Sequence, residues 1–287
     1  MRAFYLSGLL LTLAGVPLAQ TPAYAAAAKT AEVVEVDQMT WPELKAALAA
    51  GKTTALFYTG GTEQRGPQNI IAGHNAIGRE VVKHIAQKLG NALAMPVLPY
   101  TPTNANPATP GDISLPADVL GLVLEKISEQ AIANGFKNVV LMGDSGGGQG
   151  ADGVYAAVAK KLDAKYSAQG GHVYYADHPY TAARDAFNKY LTEKGYPVGF
   201  HGGIQDTSEM MYLETIDGNS NWVRKDKLPI AEGDPVVNGK LQVGPNSPHN
   251  GISGDARRSS VELGKMRHEM KVDYAVKQIQ GFMAAQK

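Results

Sequence analysis

Three short runs hold the side chains of this sequence that are suited to chemistry. They are Gly60-Gly61-Thr62-Glu63-Gln64-Arg65-Gly66-Pro67, Gly143-Asp144-Ser145-Gly146-Gly147-Gly148 and His201-Gly202-Gly203-Ile204-Gln205-Asp206-Thr207-Ser208. In the first, Glu63 is a carboxylate held in a glycine-rich turn, suited to binding a cation or to acting as a base. His74 follows eleven residues later, close enough along the chain to fold back beside it. The plainer alternative is a surface glutamate in a turn and a histidine that caps a helix. In the third run, His201 can serve as acid or base and Asp206 as a ligand or an orienting carboxylate. Asp206 also suits the first turn of a helix, where negative charge is favourable in itself.

The middle run contains Gly-Asp-Ser-Gly-Gly, the surroundings of the nucleophile in trypsin-like serine proteases. Context excludes that chemistry, because those enzymes are all-β and this run joins a buried-strand pattern to a helix. A nucleophile elbow of the G-x-S-x-G type is not formed either, since Asp144 precedes Ser145 and Met142 holds the place of the first glycine. Gly146 and Gly147 would instead bring backbone N–H groups close to a ligand at a helix N-terminus. Ser145 stays open as a nucleophile or as a ligand-binding hydroxyl.

The elements that must position these runs alternate in type. Apolar stretches at Thr53–Tyr58, Leu93–Leu98, Asn138–Met142 and His172–Ala176 read as buried strands. Between them, helical spacing covers Asn75–Leu89, where Ile77, Val81, Val82, Ile85 and Leu89 share a face, then Pro116–Asn134, Gln149–Ala168 and Thr181–Lys194. Thr40, ahead of Pro42, caps an earlier helix that Gly51 stops, and a last helix spans Ser259–Ala285. This alternation predicts an α/β fold, a three-layer sandwich around a central, mainly parallel sheet. Ligands in such sheets collect at the carboxyl ends of the strands, which is where all three runs lie. Ile216–Asn250, rich in Gly, Pro and Asn, reads as a long loop or flap.

Composition narrows the function. Basic and acidic residues balance at 27 each, with no Lys/Arg cluster, which disfavours nucleic acid and anionic membranes as partners. Residues 1–25 read as a signal peptide: Arg2, an apolar run to Leu18, and a small-x-small cleavage pattern at Ala23-Tyr24-Ala25. Residues 26–287 then form a single domain, expected in a periplasm or secreted, with no membrane contact after cleavage. The absence of cysteine is compatible with that compartment.

Five landmarks in order make the chain resemble the creatininase (creatinine amidohydrolase) family from about Thr53 to the last helix. The first run matches that family's G-S-x-E-Q-H-G-P, and Pro110-Gly111-Asp112-Ile113-Ser114-Leu115 matches P-G-T-I-S-L. Gly135-Phe136 through Gly148 matches the strand leading into N-G-H-G-G-N, and His201–Ser208 matches H-A-G-x-x-E-T-S. Gly251-Ile252-Ser253-Gly254-Asp255 matches G-V-x-G-D. The resemblance implies an amidohydrolase, commonly a homo-oligomer and often a hexamer, whose two-metal centre (usually zinc, with or without manganese) activates water against a small-molecule amide or cyclic amide.

This sequence departs from that pattern at the metal centre. Glu63 is retained, Arg65 stands in place of a metal-binding His, and His74 in place of a bridging Asp. Ser145 replaces another His ligand, Gly147 holds a place where some members supply a carboxylate, and Asp206 shortens a Glu. The resemblance implies a catalytic role for His201. Arginine cannot ligate a metal, but its fixed charge can polarise a carbonyl or hold a carboxylate. The leading expectation is one divalent metal per chain, zinc with manganese possible, held by Glu63, His74 and one of Asp144, Asp206 or His201. Catalysis would fall to His201, Glu63 and Arg65, and substrate contact to Arg65, Ser145, Gly146, Gly147 and His178. Two rivals stand beside it: a non-catalytic, metal-free small-molecule binder, and a metal-free enzyme with His201 or Glu63 as base and Arg65 as electrophile. Of the other histidines, His172 reads as packing, His249 as near the site, and His84 and His268 as surface. Trp41 reads as packing, and Trp222 as packing or a lid.

Overall fold

The computed structural model describes residues 33–218, 221–237, 240–244 and 249–286, so the signal peptide expected at 1–25 and the domain start at 26 lie outside them. Among the described residues no helix is long and apolar enough to cross a membrane. Strands β1 (Thr54–Thr59), β2 (Ala92–Ala94), β3 (Asn138–Gly143) and β4 (His172–Tyr175) form a sheet of order β2-β1-β3-β4, every pair parallel. Both β1 and β3 are buried along their whole length, which explains why they read as unbroken apolar runs rather than alternating ones.

Successive residues of these strands point to opposite layers. Leu56, Tyr58, Val140 and Met142 pack with helices α2 (Gly73–Leu89), α6 (Ile204–Asp217) and α7 (Val261–Ala284). Ala55, Phe57, Val139 and Leu141 pack with α3 (Ala117–Ala133) and α4 (Val154–Tyr166). This is the three-layer sandwich. Phe187 and Leu191 of α5 (Ala182–Glu193) join Ile204 and Leu263 in a smaller cluster beside it. The chain leaves β1 for β2 on one side, then crosses to β3 on the other. The order therefore reverses between β1 and β3 and opens a crevice at their carboxyl ends.

Most predicted elements are present, with informative differences. Thr40 N donates to Glu43 Oε2 at 2.7 Å at the start of α1 (Trp41–Ala49), as its spacing predicts. The strand predicted to reach Leu98 ends at Ala94, because Pro96 has no N–H for the ladder, and only an isolated bridge at Leu98 resumes it. The helix predicted from Gln149 begins at Val154, because Gly148 and Gly150 turn the chain at φ 78° and 103°. The predicted flap holds a short hairpin, β5 (Val236–Val237) with β6 (Lys240–Leu241). Trp222 packs on the main core rather than over the site. Two other expectations are corrected. His268 is buried, with Nε2 2.7 Å from Nδ1 of half-buried His84, and Trp41 is exposed.

Candidate functional site

The crevice is built by the segments that leave β1 and β3. Gly61 N donates to Asn75 Oδ1 at 2.9 Å, tying the turn after β1 to the start of α2 and bringing Glu63 beside His74. Gly60 is required there, since a Cβ would lie 2.1 Å from that same oxygen. Asp144 N donates to Thr59 O at 2.9 Å, so pairing with β1 continues one residue past β3 and delivers Asp144 and Ser145 to the crevice. Helix α6 presents Asp206 in its first turn, and α7 supplies Arg267 and Lys271 from across the layer. Together they wall a cavity of about 410 Å³.

A string of alternating charges runs along and behind the cavity wall. Glu63 Oε1 lies 2.6 Å from His74 Nε2, and Asp144 Oδ2 lies 2.6 Å from His74 Nδ1. Lys271 Nζ donates to Asp144 Oδ1 at 2.5 Å and lies 2.8 Å from Glu209 Oε2. Arg267 Nε donates to Glu209 at 2.9 Å and its Nη2 to Asp206 at 3.3 Å, and Arg65 closes the sequence 3.1 Å from Asp206. No side chain of these eight is more than 12% exposed. Burial in such a place costs several kcal/mol per isolated ion, so the string survives because each charge lies against at least one opposite charge.

The ionisation states follow from these neighbours. Burial and the Arg65 charge push His74 down, but its hydrogen bonds to Asp144 and Glu63 outweigh them and its pKa ends above the ordinary histidine value. Burial would raise Asp144, yet Lys271 and His74 hold it well below the usual carboxylate range. Burial likewise opposes ionisation of Glu209, and Lys271 brings it down to about 2. Glu63 is lowered, against burial, by its bond to His74. The string is thus four carboxylates against four cations.

His201 stands apart from the string, at the cavity wall. Its backbone N–H donates to Ser253 Oγ at 2.7 Å, and Ser253 N donates back to its carbonyl at 2.9 Å. Its ring Nε2 is 2.6 Å from the Gln64 backbone carbonyl, a hydrogen-bond acceptor, and 3.0 Å from the Gln64 side-chain amide nitrogen; in the tautomer that donates to the carbonyl, Nδ1 holds the ring's lone pair. That Nδ1 is 3.5 Å from Glu63 Oε1. Ser145 Oγ donates to the other oxygen of Glu63 at 3.3 Å.

Gly146 and Gly147 also line the cavity. A Cβ on Gly147 would lie 2.0 Å from Pro102 O, and one on Gly146 would lie 2.7 Å from the Tyr180 hydroxyl, so neither position admits a side chain without movement. Two expected contacts are not made. Arg65 is fully buried behind the wall, and its place is set by Asp206 and by Gly73, where a Cβ would meet Nη1 at 2.0 Å. It reaches the cavity only through Asp206. His178 is likewise not on the wall, which its neighbours Pro179 and Tyr180 supply. His249 stands near Asp234, away from the string.

Sequence reasoning did not single out Glu209, Arg267 or Lys271. A signal was available for two of them. Gly264, His268, Lys271 and Ala275 recur at the three- and four-residue spacing of one helix face, the buried one. A lysine and a histidine on that stripe require partners inside. Glu209 lies three residues beyond Asp206, one turn along α6, where the same face rule puts it.

The divalent metal implied by the resemblance does not fit this donor set. A metal-ligating histidine needs a free ring nitrogen, and both nitrogens of His74 are spent on carboxylates. Asp144 and Glu209 already share an ammonium, Asp206 accepts from Gly202 N at 2.8 Å and faces two guanidinium groups, and Arg65 has no lone pair to give. Among the described residues no trio of His, Asp and Glu is arranged to hold a metal ion.

Comparisons agree on fold and family. The creatininase family model, described as creatinine amidohydrolase, matches residues 37–279. Among solved structures, a glutamate-to-glutamine mutant creatininase complexed with creatine is 23% identical at a TM-score of 0.67, covering 87% of this chain and 98% of its own. The Zn–Zn type of that mutant is 23% identical at 0.64, with the same coverage. A creatininase in its Mn form is 23% identical at 0.63, again covering 87% and 98%. These likenesses show the fold. No protein of curated function matches the sequence significantly.

Proposed function

Because this chain belongs to the creatininase family, whose model spans residues 37–279, we propose that it hydrolyses a C–N bond in a small amide or cyclic amide, using its own charged side chains. The observation that carries this reading is the setting of His201. With its Nε2 proton directed at the Gln64 carbonyl, His201 would offer Nδ1 as a base, and Glu63, 3.5 Å away, would stabilise the imidazolium that forms. In this scheme Nδ1 takes a proton from water, and the resulting hydroxide adds to the amide carbon. The C–N bond then breaks as His201 returns the proton to the leaving nitrogen. The backbone at Gly146 and Gly147, where no side chain intervenes, is suited to meet the developing oxyanion. The zinc and manganese of the related structures belong to those proteins, and no step here passes through them.

The test is a panel of small amides and lactams, creatinine among them, assayed by release of the amine product. Turnover by the native chain should fall by about 10²–10⁴-fold in His201→Ala, the range of a general base. A native chain that turns over none of the panel, yet binds one member tightly, would favour the non-catalytic binder instead. Export after cleavage at Ala26, and assembly as a homo-oligomer, belong to the same proposal, supported by the Ala23-Tyr24-Ala25 pattern and by the family.

A further inference from the structure

We infer that Lys271 is a built-in cation that takes the place of a divalent metal in this centre. An ammonium has three N–H donors. Lys271 Nζ donates to Asp144 Oδ1 at 2.5 Å and lies 2.8 Å from Glu209 Oε2 in an ion pair. Even if both contacts use an N–H, one donor is left over on a side chain that is only 4% exposed and lines the cavity. A cation that bridges two buried carboxylates and keeps one open position toward a ligand is in the situation of a bound metal with one exchangeable site. A mobile ion is replaced here by a charge on a tether.

Electrostatics support the same conclusion. Tyr58 OH also donates to Asp144, at 3.3 Å, and Arg267 to Glu209 Oε2, at 2.9 Å, while His268 Nδ1 lies 3.5 Å from Glu209 Oε1, so each carboxylate already lies against other donors or cations besides Lys271. A divalent ion entering the string would meet ammonium and guanidinium groups already in place, and would have to displace Lys271 to reach either carboxylate. The third N–H is then the donor for the carbonyl oxygen of a compact amide. That last step rests on the hydrolase reading, whereas the replacement of metal by Lys271 does not.

The experiment uses metal alone. The full mature chain is incubated with excess zinc or manganese, desalted, and its metal content measured beside that of Lys271→Ala. Native protein should remain well below one equivalent, and Lys271→Ala should gain about one equivalent per chain, because Asp144 and Glu209 then each lose one of the two cations that flank them. If Lys271→Ala is unfolded alone, folding restored by zinc or manganese counts as the same gain. Lys271→Gln, which keeps the side-chain length without the charge, provides a second reading of the same gain. Native protein that retains a full equivalent would overturn the inference. So would folded Lys271→Ala and Lys271→Gln that both remain metal-free. Neither result depends on finding a substrate, so failure here is separable from failure of the hydrolase reading.

Discussion

At the scale of single residues, the account depends on His74 lying between two carboxylates. His74→Ala would leave Glu63 and Asp144 facing each other with one buried cation fewer. Breaking a buried pair in this way typically costs ~3–5 kcal/mol, so the urea midpoint of the variant should fall sharply. A midpoint within experimental scatter of the native one would show that His74 is not a charged member of the string. Acid should weaken the same cluster. Glu209 titrates near 2 in the folded chain, and an unfolded glutamate near ~4.3. Its stabilising share is therefore complete above ~4.3 and lost as the pH falls toward 2. Asp144, also lowered, acts in the same sense. His74, whose pKa is raised, acts in the opposite one, and its share is lost as the pH rises through its folded value. Thermal unfolding followed across pH should show both flanks, and Glu209→Gln should flatten the acid one. Glu63, His74, Asp144, Asp206 and His201 were legible from their types and from the turns that hold them. Their partners were not, because pairing across α6 and α7 is a tertiary fact that no local spacing encodes.

At the scale of elements, the site depends on how closely α7 approaches α6. Gly264 makes that approach possible, since a Cβ there would lie 1.8 Å from the Ser208 carbonyl oxygen, which is backbone and cannot swing aside. Gly264→Ala should cost ~1–3 kcal/mol by forcing the helices apart. It should also displace Arg267, one turn further along, and Lys271, two turns along, so loss of stability and loss of activity should appear together. A variant as stable as the native chain would mean that the helices pack differently. The sheet and most helices were readable from hydrophobic period. The ends that were missed have physical causes: Pro96 cuts β2 short, and positive-φ glycines delay α4. Helix α6 was seen only at its start. Its residues from Ile204 to Met211 are buried on every side, so it carries no amphipathic stripe to read.

At the scale of the whole molecule, a family fold holds a centre whose cations are side chains. Position along the sheet is conserved by topology: the reversal between β1 and β3 makes the crevice whatever residues line it. For the assembly proposed from the family, light scattering on the mature protein should give a mass several times that of one chain, and a monomer at micromolar concentration would contradict it. The central claim is that this chain performs amide hydrolysis with His201 and fixed charges. Its most direct test is the rate of amine release from the best member of the amide panel, measured after exhaustive chelation and again after adding zinc or manganese. Equal rates in the two states, both abolished by His201→Ala, are the predicted result. Turnover that vanishes on chelation and returns only with metal would contradict it.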